Sequence, residues 1–247
     1  MPIISVVNQK GGTGKTTTTL NLSSALAKLG KNVLAIDMDS QGNLGYSLGL
    51  ESETTIVDVL EDTNRISDVL LESEGFSIVI SDMRLVDVEL ALGEMDDRHS
   101  VLSKKLKSLE SSYDYILVDC PPSLSILALN ALYASEYVII PMLMEVLSLQ
   151  GLDQIIETIE KINASYNKEL QILGILPVMV DKRRKLSGEI REYIKENYDL
   201  RIFKSMIRNN VKASESPSFG KSVVEYAPNS NSAVDYKAFA TEITRLI

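Results

Sequence analysis

Short apolar runs rich in β-branched residues alternate with helical patterns along most of this chain. The runs predict strands at Ile3–Asn8, Asn32–Asp37, Phe76–Ser81, Tyr115–Asp119, Tyr137–Pro141 and Gln171–Val180. Because they are continuously apolar rather than alternating, we expect these strands to be buried on both faces of a parallel sheet. The helical patterns cover Lys15–Leu29, Val101–Leu109, Leu149–Ile162 and Ser187–Glu196. The order predicts a three-layer α/β fold, a mostly parallel twisted sheet with helices on both faces.

Length and composition narrow the class of protein. The chain has 247 residues, 45% of them hydrophobic, and no linker, repeat or low-complexity tract divides it, so we expect residues 1–247 to form a single domain. No apolar run has the ~18 residues of a membrane span. One cysteine and one histidine exclude a disulfide framework and a Cys- or His-cluster metal site within one chain. The low cysteine count favours the reducing cytoplasm.

A glycine-rich segment follows the first strand and leads directly into a helix. Its glycines allow backbone amides to surround phosphate oxygens, and the helix N-terminus adds partial positive charge. Lys15 is expected to reach the β- and γ-phosphates, and the Thr16 hydroxyl to ligate Mg²⁺. The predicted phosphate site consists of Lys10, Gly11, Gly12, Thr13, Gly14, Lys15, Thr16 and Thr17.

Lys10 stands at the leading edge of this loop, where one phosphate chain has little need of a second lysine. Two interpretations are open from the residues alone. The side chain is either a solvated surface lysine, or a cation that points away from its own nucleotide toward a partner's phosphates. In the second case it would act as an arginine finger supplied by another subunit does.

Two further strands end in carboxylates. Asp37 and Asp39 are two residues apart at the end of the second strand, so they point the same way. Such a carboxylate can hold an attacking water or a water on Mg²⁺, although an ordinary polar loop would give the same pattern. Asp119 ends the fourth strand, an arrangement that holds Mg²⁺ in nucleotide hydrolases. We therefore predict a metal site formed by Thr16, Asp119 and Asp37.

Positive charge is concentrated in one part of an acidic chain. The net charge of −9 argues against nucleic acid, yet residues 181–212 contain ten Lys and Arg against five Asp and Glu. The run 182–185 reads KRRK, and Lys204, Arg208 and Lys212 follow it. It forms either a solvated loop or part of a patch that contacts several DNA phosphates without reading bases.

The segment KGGTGKT resembles the deviant Walker A motif of the ParA/MinD ATPases, P-loop NTPases whose signature is the leading lysine. DMDSQGN is similar to their switch I pattern, with Ser40 in place of proline, and DCPPS resembles Walker B with switch II. The resemblance extends over nearly the whole chain. It implies that Lys10 crosses a nucleotide-sandwich dimer to the other subunit's phosphates. It also implies that Lys15 and Asp39 act in hydrolysis, with Asp39 positioning the attacking water and Asp37 supporting it.

The resemblance also covers IRNNVKASESPS, which is similar to the family's IPRNVRLSEAPS segment. On that match, Asp181 and Asn210 correspond to positions that line the adenine. Arg208 stands where relatives have proline, and Asn209 where they have arginine.

The same match implies DNA-binding residues. Arg183 and Lys212 correspond to two cations with which family members bind DNA nonspecifically, and Arg184 and Lys185 extend this set. The implied function is an ATP-dependent switch: with ATP and Mg²⁺ two chains form a homodimer that binds duplex DNA, and hydrolysis releases it. A ParB-like or cargo-adaptor partner would stimulate a slow intrinsic hydrolysis. Such a nucleoid-associated protein would segregate or position a chromosome, a plasmid or a protein cargo.

Two alternatives stay open. A MinD-like membrane-positioning ATPase requires a C-terminal amphipathic helix with a basic face. Residues 233–247 contain only Lys237 and Arg245 as cations, so we expect a core-packing terminal helix and no membrane contact. The other alternative is a metabolic enzyme on the same scaffold. A nitrogenase-type iron protein needs two cysteines per subunit, whereas an ATP-dependent carboxylase or synthetase remains compatible with the loop.

Overall fold

A computed structural model describes residues 1–109, 112–165, 169–181 and 186–247 of the chain. Its sheet has the order β3-β4-β2-β5-β1-β6-β7, and all neighbouring strands are parallel except the β3–β4 hairpin. The predicted mostly parallel sheet is therefore confirmed, with β3 as an additional strand. The strands are β1 (Ile3–Val6), β2 (Val33–Asp37), β3 (Leu71–Ser73), β4 (Phe76–Val79), β5 (Tyr115–Asp119), β6 (Tyr137–Leu143) and β7 (Gln171–Val178).

Helices cover both faces of this sheet, which confirms the predicted three layers. One apolar cluster joins α1, α2, α10 and α11 to one face, and a second joins α3 to α8 to the other. The helices in the described ranges are α1 (Lys15–Lys28), α2 (Asn43–Leu48), α3 (Ile56–Leu60), α4 (Leu85–Gly93), α5 (Val101–Leu106), α6 (Ile126–Ala134), α7 (Leu147–Ser165), α8 (Leu186–Asn197), α9 (Val211–Glu215), α10 (Val223–Tyr226) and α11 (Asn231–Ile243).

Each predicted strand and helix is present, with ends within three residues of those expected. The strand expected at Gln171–Val180 ends at Val178, because Met179 adopts a φ of 51°, outside the extended region. The helix expected at Val101–Leu109 ends at Leu106 and continues as a 3₁₀ turn. These corrections concern backbone geometry that apolar periodicity does not encode.

The terminal helix α11 packs against the core, as the sequence predicts. Tyr236, Phe239 and Ile243 are fully or almost fully buried, and the Tyr236 hydroxyl lies 3.4 Å from that of Thr18 on α1. Within the part of the chain that the structure describes, no helix has both the length and the apolar character needed to cross a membrane.

Parallel pairing brings the predicted chemical residues to one edge of the sheet. Asp119 at the end of β5 is in register with Val6 of β1 on one side and with Asp37 of β2 on the other. The loops that follow β1, β2 and β5 therefore leave the sheet side by side at its carboxyl edge, where open α/β sheets bind ligands.

Candidate functional site

The loop between β1 and α1 has the backbone geometry of an anion cradle. Gly12 and Gly14 have φ angles of 73° and 76°, in the left-handed region that glycine tolerates. The buried Thr13 hydroxyl donates to the Lys10 carbonyl at 3.1 Å and closes the loop. A Cβ added at Gly11, Gly12 or Gly14 would meet no atom within 4 Å, so the space beside these glycines is open. The first amides of α1 have no helical acceptor and are available to an anion.

Lys15, the first residue of α1, is almost buried among acidic groups. Its side chain is 7% exposed, and burial lowers the pKa of its ammonium, while Asp119, Cys120 and Asp39 oppose that change. The structure thus brings Lys15 together with two predicted carboxylates, Asp119 and Asp39. A cation at this depth is arranged to bind a negatively charged ligand that enters the loop.

Asp119 has a buried carboxylate oxygen that accepts no hydrogen bond from the described part of the chain. The residue is fully buried, its Oδ1 accepts a long bond of 3.4 Å from the Thr19 hydroxyl, and its Oδ2 has no partner there. Burial, followed by the charge of Asp37, raises the pKa of Asp119 well above its usual value, while the Thr16 hydroxyl and Lys15 counteract this. An unpaired buried oxygen of this kind is costly unless a cation binds it.

Asp37 is also fully buried, but both of its oxygens are occupied. Oδ1 accepts from the amide of Asp39 and Oδ2 from the amide of Leu44, each at 3.0 Å. Burial raises its pKa to about 7, although these amide bonds act in the opposite direction. The carboxylate therefore fixes the backbone of the following loop, which carries Asp39.

That loop (residues 38–42, the Asp39 loop) is fixed by contacts that are distant in sequence. The Ser81 hydroxyl, just after β4, donates to the Asp39 carbonyl at 2.5 Å, and the Gln41 amide donates to the Asp39 carboxylate at 3.1 Å. At Gly42, with φ 62°, a Cβ would lie 2.9 Å from the Ser81 carbonyl oxygen. Sequence reasoning missed Ser81, since a serine after a strand carries no signal of its own.

A magnesium ion fits this donor set. The Asp119 oxygen that has no hydrogen-bond partner in the described chain and the Thr16 hydroxyl are oxygen donors beside the glycine loop, and Mg²⁺ takes few protein ligands because it keeps waters and substrate phosphates. In the part of the chain that the structure describes, no group of three or more His, Cys, Asp or Glu is arranged to hold a metal.

Lys10 does not join this buried cluster. Its ammonium lies 3.7 Å from the carboxylate of Glu145, in the loop between β6 and α7, and both side chains are more than two-fifths exposed. Its amide donates to the Asn8 side chain at 3.0 Å. Sequence reasoning did not identify Glu145 as a partner of Lys10.

The two predicted adenine residues lie on neighbouring strands of backbone. Val180 and Arg208 form a parallel bridge beyond the end of β7, which places the segments of Asp181 and Asn210 next to each other. The Asn210 side chain caps α9 by accepting from the Lys212 amide at 2.8 Å. Arg208, the residue in place of the family's proline, turns to Asp235 of α11 and forms a paired ion bridge of 2.7 Å.

The cationic residues of the C-terminal third fall into three groups, of which the first two were predicted to bind DNA. In the first group, Arg183, Arg184 and Lys185 lie outside the described residues. Lys212 is paired with Glu215 at 2.8 Å.

A third group of cations was not recognised as a cluster from the sequence. Arg201, Lys204 and Arg245 line a groove of about 530 Å³ between α11 and the segment that runs parallel to β7 at the sheet edge. The one acid of this groove, Glu242, accepts amide bonds from Lys204 and Ser205. We call these residues the edge groove.

Known proteins resemble this chain over most or nearly all of its length. A family model described as an AAA domain matches residues 1–172. The sporulation initiation inhibitor protein Soj of Bacillus subtilis is 38% identical over 246 residues, which cover 98% of this chain and 97% of Soj. The chromosome partitioning protein ParA of Caulobacter vibrioides is 37% identical over 248 residues, 98% of this chain and 93% of ParA.

A solved structure shares the fold of this chain. The crystal structure of cobyrinic acid a,c-diamide synthase from Mycobacterium smegmatis, with bound ATP analogue and magnesium, superposes with a TM-score of 0.88 at 30% identity. The match covers 99% of this chain and 95% of that one. Full-length similarity, a shared P-loop fold and the loops described above lead to one assignment: the chain belongs to the ParA/Soj family of chromosome-partitioning ATPases.

Proposed function

We propose that the chain is an ATP-dependent switch that dimerises on ATP, binds duplex DNA nonspecifically and hydrolyses ATP to segregate or position a cargo. The observation that carries the ATP part is the buried Asp119 oxygen, which has no hydrogen-bond partner in the described chain and lies close to Lys15 at the start of α1. Residues 1–247 would act as one ATPase domain, since the clusters on the two sheet faces draw on helices from α1 to α11.

The site residues receive separate roles in this proposal. The loop amides and Lys15 hold the phosphates, and Asp119 with Thr16 holds Mg²⁺, which when bound neutralises phosphate charge. Asp39 positions the attacking water, and Asp37 fixes the loop that carries it. Asp181 and Asn210 face the adenine. Hydrolysis by the isolated protein is expected to be slow, because the site is completed across the dimer and a ParB-like or cargo-adaptor partner stimulates it.

Dimerisation rests on the position of Lys10. Its side chain is exposed at the rim of the site rather than directed at Asp119 and Lys15, so its charge is available to a second chain's phosphates. Sedimentation velocity with Mg-ATP, Mg-ADP and no nucleotide tests this step. We expect a doubled mass only with Mg-ATP; an unchanged mass in all three conditions would refute the dimer.

DNA binding is supported by the cations at the β7 edge. The edge groove lies on the segment that leads to Lys212, and the basic run 182–185 comes shortly after β7 in the sequence. Such an array suits phosphate contacts that carry no sequence information. Lys212 would have to leave Glu215 to take part, which a phosphate contact can drive because the pair is exposed.

A metabolic enzyme on the same scaffold, such as an ATP-dependent synthetase, is the second candidate, because the M. smegmatis protein that superposes on this chain is cobyrinic acid a,c-diamide synthase. The two functions differ in what stimulates hydrolysis. A partition switch responds to DNA and a protein partner, whereas a synthetase needs a small acceptor.

The core-packed α11 gives no support to a membrane-positioning role. We propose that the working protein associates with the nucleoid in the cytoplasm.

A further inference from the structure

Ser81 connects the end of β4 to the Asp39 loop. It lies two residues beyond β4 and is 6% exposed. Its hydroxyl donates to the Asp39 carbonyl at 2.5 Å, and the Gly42 amide donates to the same oxygen at 3.0 Å. The Gly42 bond closes a turn within the loop, whereas Ser81 is 42 residues away from Asp39 in the sequence. Ser81 therefore supplies a tertiary contact to this loop.

The peptide unit that joins Asp39 to Ser40 has few other restraints. The Ser40 amide donates to no acceptor in the described part of the chain. Asp37 fixes the peptide unit on the other side of Asp39, because its carboxylate accepts from the Asp39 amide at 3.0 Å. Since a peptide unit is planar, the orientation of the Asp39 carbonyl sets the backbone angle ψ of Asp39. The Ser81 hydroxyl thus restrains the side of Asp39 that Asp37 does not hold.

The end of β4 is itself fixed in place. A Cβ at Gly42 would lie 2.9 Å from the Ser81 carbonyl oxygen, and a Cβ at Gly45 would lie 2.9 Å from the Ile80 side chain. The Ile80 carbonyl accepts from the amide of Ile56, the first residue of α3, at 2.9 Å. The segment after β4 is therefore bonded to α3 and packs closely against the Asp39 loop and α2.

We propose that Ser81 is a positioning residue for ATP hydrolysis, whose hydroxyl holds the Asp39 backbone so that the Asp39 carboxylate orients the attacking water. The inference rests on the proposed function, in which Asp39 has that role. Ser81 acts through Asp39 and touches neither the nucleotide nor the water. A misplacement of about 1 Å in a reacting group can cost on the order of 10²-fold in rate. The loss of this contact should therefore lower the rate of hydrolysis.

Nucleotide binding should depend much less on Ser81. The glycine loop and Lys15, which hold the phosphates in the proposed function, follow β1. Strands β2 and β5 lie between β1 and β4 in the sheet. A change at the end of β4 thus reaches the site through the Asp39 loop, and its effect on kcat should exceed its effect on ATP affinity.

Ser81→Ala removes the hydroxyl, and Ser77→Ala is its matched control. Ser77 lies on β4, is 8% exposed, and its hydroxyl donates at 2.5 Å to Glu72 of β3. Both variants remove a buried serine hydroxyl that makes a short hydrogen bond, but only Ser81→Ala alters the Asp39 loop. Phosphate release gives kcat, and calorimetry gives the affinity for Mg-ATP.

We expect Ser81→Ala to lower kcat by about 10–10²-fold while its Mg-ATP affinity stays within about twofold of wild type. Ser77→Ala should retain both quantities. Ser81→Cys, which keeps a side chain of similar size but donates only weakly, should also lower kcat. Wild-type turnover in Ser81→Ala or Ser81→Cys, or an equal fall in Ser77→Ala, overturns the inference. A loss of Mg-ATP affinity as large as the loss of kcat also overturns it, because it indicates general damage to the site.

Hydrogen exchange of the nucleotide-free protein tests the contact without reference to hydrolysis. The Gln41 and Gly42 amides should exchange about tenfold faster in Ser81→Ala than in wild type, with no change in Ser77→Ala. Unchanged exchange in Ser81→Ala would show that the hydroxyl does not hold the loop, which overturns the inference. If wild type does not hydrolyse ATP, the proposed function fails, whereas this measurement still decides whether Ser81 fixes the backbone of Asp39.

Discussion

The Lys10 ammonium lies 3.7 Å from the Glu145 carboxylate, so the lysine at the leading edge of the phosphate loop is paired with an acid of its own chain. Both side chains are accessible to water, and exposed pairs of this kind contribute little to folding. The pairing therefore holds Lys10 at the rim of the site without a large cost to its release. A second subunit that offers phosphates can compete for the same charge.

Replacing Lys10 should separate nucleotide binding from association. Lys10→Ala leaves Lys15 and the glycine loop in place, so we expect near-normal Mg-ATP binding by calorimetry but no ATP-dependent doubling of mass in light scattering. The matched variant Glu145→Gln should alter the free energy of unfolding by less than about 1 kcal/mol. A Lys10→Ala protein that still dimerises with ATP would refute the role of Lys10.

Asp39→Asn should remove hydrolysis while preserving the loop. The asparagine keeps an oxygen for the Gln41 amide, which now donates to the carboxylate at 3.1 Å, but it loses the charge that orients water. We expect kcat about 10²–10⁴-fold lower with ATP affinity retained. Phosphate release in single-turnover conditions measures this, and wild-type turnover by the variant would remove Asp39 from the catalytic set.

Asp119→Asn should stabilise the nucleotide-free protein and abolish its stabilisation by Mg-ATP. Burial makes the Asp119 charge costly, and asparagine removes that charge. We expect the variant's Tm to be several degrees higher without ligand and to be unaffected by Mg-ATP. A lower ligand-free Tm would show that the carboxylate is already compensated.

The same variant has a defined pH signature. A buried carboxyl with a raised pKa keeps its proton while the unfolded one ionises, so stability is lost as pH rises from the unfolded to the folded pKa. For Asp119 that interval begins at its usual value of 3.8 and extends well above it. Urea unfolding at about pH 4.5 and about pH 7.5 should therefore show wild type losing stability relative to Asp119→Asn as pH rises. A difference that stays constant would contradict the raised pKa of Asp119.

Replacing Gly42 and Gly11 by alanine should have different effects on the stability of the protein. Gly42→Ala places a methyl 2.9 Å from the Ser81 carbonyl oxygen at a left-handed φ, so we expect a loss of about 1–3 kcal/mol in urea unfolding. Gly11→Ala enters open space at an ordinary φ, so it should leave stability equal or higher by up to about 1 kcal/mol, yet weaken ATP binding. Equal stability of the two variants would show that the Asp39 loop is not fixed against β4.

Local spacing was enough to predict the sheet and the loops that carry Lys15, Asp39 and Asp119, because each follows directly from a strand end. It could not reveal Ser81 or Glu145, whose partners are 42 and 135 residues away. The β3 strand was missed because three residues carry too little periodicity. The turn that joins it to β4 has positive φ angles at Glu74 and Gly75.

The C-terminal third shows the limit of pattern matching more clearly. Arg208 was grouped with the cations by spacing, whereas Asp235, on a helix that begins 23 residues later, neutralises it. Arg201 and Arg245 are distant in sequence and meet only because α11 packs beside the β7 edge. The assignments of Arg183, Arg184 and Lys185 remain predictions from sequence.

The central claim is that the protein binds DNA phosphates only in the presence of ATP. The salt dependence of its binding to random-sequence duplex DNA tests this claim most directly. Wild type would be compared with Arg183→Gln/Lys212→Gln and with Lys204→Gln/Arg245→Gln, using Lys161→Gln on α7 as the control. The account predicts binding only with Mg-ATP, and a log–log salt slope reduced by about 0.9 for each phosphate contact removed, with no change in the control. Binding that is equal with ATP, ADP and no nucleotide, or absent in all three, would contradict it.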